Sequence, residues 1–140
     1  MVATLRKEPR LTFTPALGAW PDAGVYQLWI RLRRSVVLRV GSLGEVQFAA
    51  GTYVYTGRAA RGLRARVLRH VHGGQRQHWH IDYLLAIPWA HLERVGLSST
   101  RPEDECAVHA TTGDSALAAV PRFGASDCHS GCPTHLWLMD

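Results

Sequence analysis

Lysine is nearly absent from this 140-residue chain: Lys7 stands alone, and the other fifteen of the sixteen Lys+Arg side chains are arginine. Long apolar runs are absent too. None approaches the roughly 18–20 residues of a membrane span, so no membrane partner is expected. No apolar h-region follows Arg6, Lys7, Glu8 and Arg10, so a secretory leader is not expected and a cytoplasmic protein is. Cysteine is scarce. Three residues cannot all pair with one another and are too few for a disulfide scaffold, so reduced thiols are the expectation. There are no internal repeats and no low-complexity tract. The length suits one domain. A hydrophobic content of 46% and a mean hydropathy of −0.09 are enough to bury a core, which excludes global disorder.

Acid is missing from one long stretch. Between Glu45 and Asp82 there is no carboxylate, while Arg58, Arg61, Arg64, Arg66, Arg69 and Arg76 crowd the segment with His70, His72, His78 and His80. The formal charge of +5 says little by itself. A run of guanidinium without carboxylates says more, because the guanidinium fork matches phosphate oxygens bidentately and stays charged at any working pH. A phosphate-bearing partner is therefore expected, with Arg58, Arg61, Arg64 and Arg69 as its contacts.

Pro9, Pro15 and Pro21 break up residues 1–22, which read as an irregular lead-in to a single domain over 23–140. Val25–Leu32 alternates as a strand, with Tyr26, Leu28, Ile30 and Leu32 on one face and Gln27 and Arg31 on the other. Ser35–Val40 and Glu45–Ala49 read as a hairpin around Gly41-Ser42-Leu43-Gly44. Thr52–Tyr55 is extended and Gly57 closes it. From Ala60 the period turns helical: Leu63, Val67 and Val71 form a stripe, and Gly73-Gly74 ends it. Trp79–Ile87 and Leu92–Leu97 are apolar segments of undecided type. Thr100 and Glu103 have capping-box spacing before a helix from about Pro102 to Ala110 that ends near Gly113. Ser115–Ala119 suggests a helical turn, and His135–Leu138 a closing strand. The class this predicts is α+β, a small antiparallel or mixed sheet flanked by helices.

Two tripeptides stand out, Gly24-Val25-Tyr26 on the first strand and Tyr55-Thr56-Gly57 on a later one. A helix carrying Arg66 and His70 follows, and Glu105 lies on a later helix. This ordered set resembles the GIY-YIG nuclease superfamily. The wider run GTYVYTGRAARGLRARVLRH, then HWHIDYLL and FGASDCHSGCPTHL, resembles one branch of it, whose members occur alone or fused to DNA glycosylases of the endonuclease III type. The resemblance spans about residues 22–138. It implies a metal-dependent DNA endonuclease acting on structured or damaged DNA, a GIY-YIG-like fold, and targeting through a partner protein or glycosylase.

Three departures mark this chain. The tripeptides are 28 residues apart, Gln27 to Val54, which implies a lengthened hairpin over Ser35–Phe48. Thr56 replaces the usual Ile or Val, which suggests a less buried position. The loop from Gly57 to Leu63 is one residue longer than in the DNA-repair relatives.

The resemblance also assigns roles. Glu105 would hold one Mg²⁺ or Mn²⁺, since one carboxylate plus waters is an ordinary Mg²⁺ shell. Arg66 would clamp the scissile phosphate. Tyr26 or Tyr55 would position the water or act as general base, which requires lowering a phenol pKa of ~10. His70, one turn from Arg66, would orient a tyrosine or donate to phosphate. Each residue has a plainer reading as packing, solvated helix face or helix-terminus charge. The alternative for the whole chain is a nucleic-acid-binding module with weak or no catalysis.

Two further clusters remain. Cys128-x3-Cys132-x2-His135, with Cys106 across the fold, has acceptable spacing for a structural zinc. The simpler reading is that the cysteines are small buried hydrophobes, and Asp127 and His135 pin the tail by hydrogen bonds. His78, His80 and Asp82 form a polar group in an apolar stretch. The reading favoured for them is an Asp82–His hydrogen bond that orients an imidazole.

Overall fold

The computed structural model describes residues 17–73, 76–124, 132 and 134–140. Most of the expected lead-in, as well as Asp127 and Cys128, lies outside the described residues. Strand β1 (Gly24–Leu32) pairs antiparallel along its whole length with β4 (Gly51–Ala59), from Gly24↔Ala59 to Leu32↔Gly51. On its other side β1 takes β5 (Ala90–Ser99), also antiparallel. The short β7 (Leu136–Leu138) pairs with β4, and β6 (Ala118–Ala119) pairs with β7, which completes the order β5-β1-β4-β7-β6. The fold is α+β, with an antiparallel five-stranded sheet.

The expected hairpin is present as a separate two-stranded sheet, β2 (Val36–Arg39) with β3 (Glu45–Phe48), joined through a 3₁₀ turn at Gly41–Leu43. The helices are α1 (Leu63–His72), α2 (His80–Leu85) and α3 (Glu105–Gly113). The helical stripe buries Leu63, Val67 and Val71, as the spacing predicts, and Gly73 ends α1. Tyr26, Leu28, Ile30 and Leu32 share one face of β1 and join these residues, with Ile81, Leu84 and Leu85 of α2, in one core. Each such aliphatic side chain contributes roughly 1.5–3 kcal/mol when fully buried.

The opposite face of the sheet is covered as well, by α3. Gln27 and Thr56 are Cα partners across β1 and β4, and both are buried. Thr56 is 0% exposed, contrary to the expectation of a less buried position. Polar partners offset its burial. Gln27 Nε2 donates to Thr56 Oγ1 at 3.1 Å and to Thr112 Oγ1 of α3 at 2.8 Å, and Ser98 Oγ donates to Gln27 Oε1 at 2.9 Å. His109 Nδ1 lies 3.2 Å from the same threonine hydroxyl. This ladder ties α3 to the two strands that carry the tripeptides.

Several local expectations are corrected. β4 does not stop at Gly57 but runs to Ala59. Gly57 pairs with Tyr26, and a Cβ there would lie 2.5 Å from the Tyr26 ring, so the missing side chain lets the aromatic ring cross the strand. Trp79–Ile87 resolves into α2 and Leu92–Leu97 into β5. In place of a Thr100–Glu103 capping box, a 3₁₀ turn at Pro102–Asp104 leads into α3. Ser99 organises it, accepting from Arg101 N at 3.0 Å and donating to Asp104 Oδ2 at 2.7 Å. Ala118–Ala119 is paired in the sheet, not helical, because Leu117 N donates to Leu138 O at 2.8 Å. No helix among the described residues is long and apolar enough to cross a membrane.

Candidate active site

Antiparallel register brings the two tripeptides together. Tyr26 faces Gly57 and Tyr55 faces Leu28, so both phenols share one sheet face, with ring centroids 6.4 Å apart. Helix α1 follows β4 after a turn at residues 60–62 and brings Arg66 and His70 over that face. Helix α3 adds Glu105 at its first residue, and the chain entering β7 adds His135. Tyr26, Tyr55, Arg58, Arg66, Glu105 and His135 thus line one cleft, a cavity of about 100 Å³. Trp79 and Gly124 line it as well.

Glu105 is the electrostatic centre. Its Oε1 lies 3.6 Å from Arg58 Nε and its Oε2 lies 3.4 Å from His135 Nδ1. Burial pushes its carboxyl up to about 7, against the pull of the Arg58 and Arg66 guanidinium groups. Burial, with Arg58 nearby, pushes His135 down. The Glu105–His135 contact therefore joins a neutral imidazole to a carboxyl that is part-protonated near neutral pH; it is not a full ion pair.

The Tyr26 side chain is buried, and its hydroxyl lies 2.9 Å from His70 Nε2. Burial drives its pKa well above the ordinary value, Tyr55 adds to this, and Arg66 offsets only part. The lowered phenol pKa that a tyrosine base requires is thus not supplied by Arg66. Behind His70, Nδ1 lies 3.9 Å from Asp82 Oδ1. Burial raises the Asp82 carboxyl, but the hydrogen bond from Arg69 and two backbone donors outweigh it, so the group sits below its usual range.

The arginines separate into different settings. Arg66 is half-buried; it donates to Arg58 O at 2.5 Å and lies 4.8 Å over the Trp79 ring. Arg61, just before α1, and Arg64, in its first turn, are exposed, and Arg64 donates to Trp20 O at 3.1 Å. Arg69 departs from the expected phosphate contact. Its guanidinium donates to Asp82 Oδ1 and to Arg76 O, both at 2.8 Å, which ties α1 to the start of α2.

The His78–His80–Asp82 group also departs from expectation. Asp82 is the third residue of a helix, and its Oδ2 accepts from the backbone N–H of His78 and Trp79 at 2.8 and 2.9 Å. Its imidazole neighbour is His70, not His78 or His80. His80 Nδ1 instead accepts from Gly124 N at 2.8 Å.

Cys106 and Cys132 form a disulfide with Cα atoms 6.2 Å apart, contrary to the expectation of reduced thiols. The first turn of α3 and the approach to β7 converge here, and sequence spacing does not reveal that proximity. His135 Nε2 lies 4.0 Å from Cys106 Sγ. Ligand atoms of Cys106, Cys132 and His135 all lie within 4.8 Å of one another, so the same group could hold a metal were the sulfurs reduced.

Reasoning from sequence missed the Gln27–Thr56–Thr112 ladder, Trp79 and Gly124. A buried-looking glutamine at the residue after Tyr26 was the available signal for the first. Trp79 and Gly124 carry no spacing rule that separates a cleft wall from packing.

The model of the family described as "Domain of unknown function DUF123" matches residues 25–140, and the chain belongs to that family. No curated protein and no solved structure matches the chain.

Proposed function

We propose that the chain is a metal-dependent DNA endonuclease of GIY-YIG type that hydrolyses phosphodiester bonds. One observation carries the reading. Among the described residues, positions scattered from Tyr26 to His135 supply two phenols, two guanidinium groups and one buried carboxylate to a single small cleft. The adjacent pairing of the two tripeptides, followed at once by the arginine helix, supports the same assignment.

Glu105 would hold Mg²⁺ or Mn²⁺, and the donor set fits. A single desolvated carboxylate raised to about 7 is under-compensated when charged. A cavity of about 100 Å³ leaves room for on the order of three waters. Mg²⁺ commonly keeps several waters beside one carboxylate. When bound, such an ion supplies charge stabilisation on the phosphate and a more acidic water. Arg66, with Arg58 beside it, meets the phosphate oxygens. Tyr26 is protonated at rest, so accepting a proton from water requires passing its own to another group. His70 Nε2 at 2.9 Å is that acceptor, with Asp82 behind it.

The test is cleavage of nicked, branched and single-stranded DNAs with Mg²⁺ or Mn²⁺. Tyr26→Phe, Arg66→Ala and Glu105→Gln should abolish cleavage and remain folded by circular dichroism. Wild-type protein that binds DNA but cuts none of the set, or a Glu105→Gln variant that cuts normally, overturns the reading. A nucleic-acid-binding module is the second reading, favoured by the protein contacts already on both Glu105 oxygens. On that reading, Arg58→Ala, Arg61→Ala and Arg64→Ala each flatten the log–log salt slope of duplex binding by roughly 0.9, with no hydrolysis.

A further inference from the structure

A second cavity of about 270 Å³ adjoins the cleft and shares Tyr55, Trp79 and Gly124 with it. Its chemistry differs. Among the described residues no carboxylate or guanidinium lines it; its own walls are His78, His80, Tyr83 and the Gly41-Ser42 turn of the lengthened hairpin. The described lining offers phosphate no guanidinium. A flat heteroaromatic does have partners: aromatic faces, imidazole edges, a hydroxyl and open backbone. The volume lies just below the ~300–1,000 Å³ of drug-sized pockets, which suits one planar ring system better than a whole nucleotide.

Tyr83 is the natural stacking surface. Trp79 already has Arg66 and Arg69 over its ring at 4.8 and 4.7 Å, and His78 edge-on at 4.9 Å. Tyr83 is partly buried against the core beside Gly41, where an added Cβ would lie 3.6 Å from the phenol oxygen. The hairpin turn thus sits beside the hydroxyl end of the Tyr83 ring, and the two line the same cavity.

We infer that this cavity receives an unpaired nucleobase of the strand whose phosphate occupies the Glu105 cleft. The inference rests on the nuclease reading for that phosphate and deepens it. A base inside a duplex stack cannot enter such a pocket, so the preferred substrate has a base already out of the stack: a flap, a branch or a mismatch. The lengthened hairpin, which the chemistry at Glu105 does not need, gains a role as one wall of the selecting pocket.

The experiment reads binding in EDTA, where hydrolysis cannot occur, so its outcome is independent of whether the protein cuts DNA. Two otherwise identical branched DNAs are compared, one with a base at the unpaired position and one abasic there. Wild-type protein should prefer the base-bearing DNA by roughly tenfold or more, in line with base–aromatic stacking. Tyr83→Leu should remove that preference and leave abasic binding unchanged, while Tyr83→Phe retains it. A fluorescent purine analogue at the unpaired position should be quenched when wild-type protein binds, which keeps a test in hand if Tyr83→Leu fails to fold. Equal affinity of wild-type protein for the two DNAs, equal loss on both with Tyr83→Leu, or no change in the analogue's emission overturns the inference. Preference without cleavage in Mg²⁺ or Mn²⁺ would leave the pocket standing and remove the nuclease reading.

Discussion

Replacing Glu105 by glutamine isolates the central electrostatic feature of the cleft. The side chain is 11% exposed, and burial moves its carboxyl from 4.5 to about 7. At about 1.4 kcal/mol per pH unit, that difference favours the protonated form in the folded protein by ~3 kcal/mol. The sign follows from linkage. Folding takes up a proton at Glu105 between the two values, so its stabilising contribution is complete below about pH 4.5 and disappears as pH rises through about 7. Glutamine does not titrate. The wild-type stability minus that of Glu105→Gln should therefore fall by ~3 kcal/mol from about pH 4 to about pH 8, then level off. Urea unfolding of both proteins across that range measures it. Adding Mn²⁺ at the alkaline end should raise the midpoint of the wild type and not of the variant, because binding to the folded state alone stabilises it. A flat difference, or one rising with pH, would mean that Arg58 fully compensates an ionised Glu105, and the argument for an under-compensated metal ligand would be refuted.

His109 slopes the opposite way. Burial, with His135 beside it, pushes its imidazole down to about 4, so its contribution is complete above about pH 6.5 and is lost as pH falls through about 4. The stability of wild type minus His109→Gln should decline with acidification across that window, and a pH-independent difference would contradict the buried neutral imidazole. The opposed slopes of Glu105 and His109 partly cancel in the wild type, so only the variant differences expose them. The disulfide makes a separate prediction. Thiol titration of unfolded, unreduced protein should find one reactive thiol, and three after reduction, given three cysteines and the Cys106–Cys132 bond. Three before reduction would remove the disulfide and leave Cys106, Cys132 and His135 available to zinc, which metal analysis would then decide.

Local periodicity made much of the framework legible. The alternation of Tyr26, Leu28, Ile30 and Leu32 marks β1, and the Leu63, Val67 and Val71 stripe marks the buried face of α1. The glycine-bounded turn marks the β2–β3 hairpin. These signals come from side chains meeting a single apolar surface, so neighbours in the chain suffice to reveal them. Thr56 was misread because burial there depends on a glutamine on another strand and a histidine and a threonine on a distant helix. β6 was misread because two alanines carry no pattern, and only pairing with β7 makes them a strand.

The sequence by itself determined the α+β class, the acid-free arginine segment, the two tripeptides and the order in which Arg66, His70 and Glu105 follow them. Tertiary structure alone decided which charges are available and which are already engaged. Arg69 and Asp82 both read as site residues in one dimension; in the fold they satisfy each other and fix α1 against α2. Glu105 reads as an ordinary first-turn acid, yet the packing of α3 against β4 withdraws water from it and raises its proton affinity. Burial and partner choice are set by distances between segments far apart in the chain. Spacing along the chain therefore gives the residue types of the site but not the ionisation that governs its chemistry.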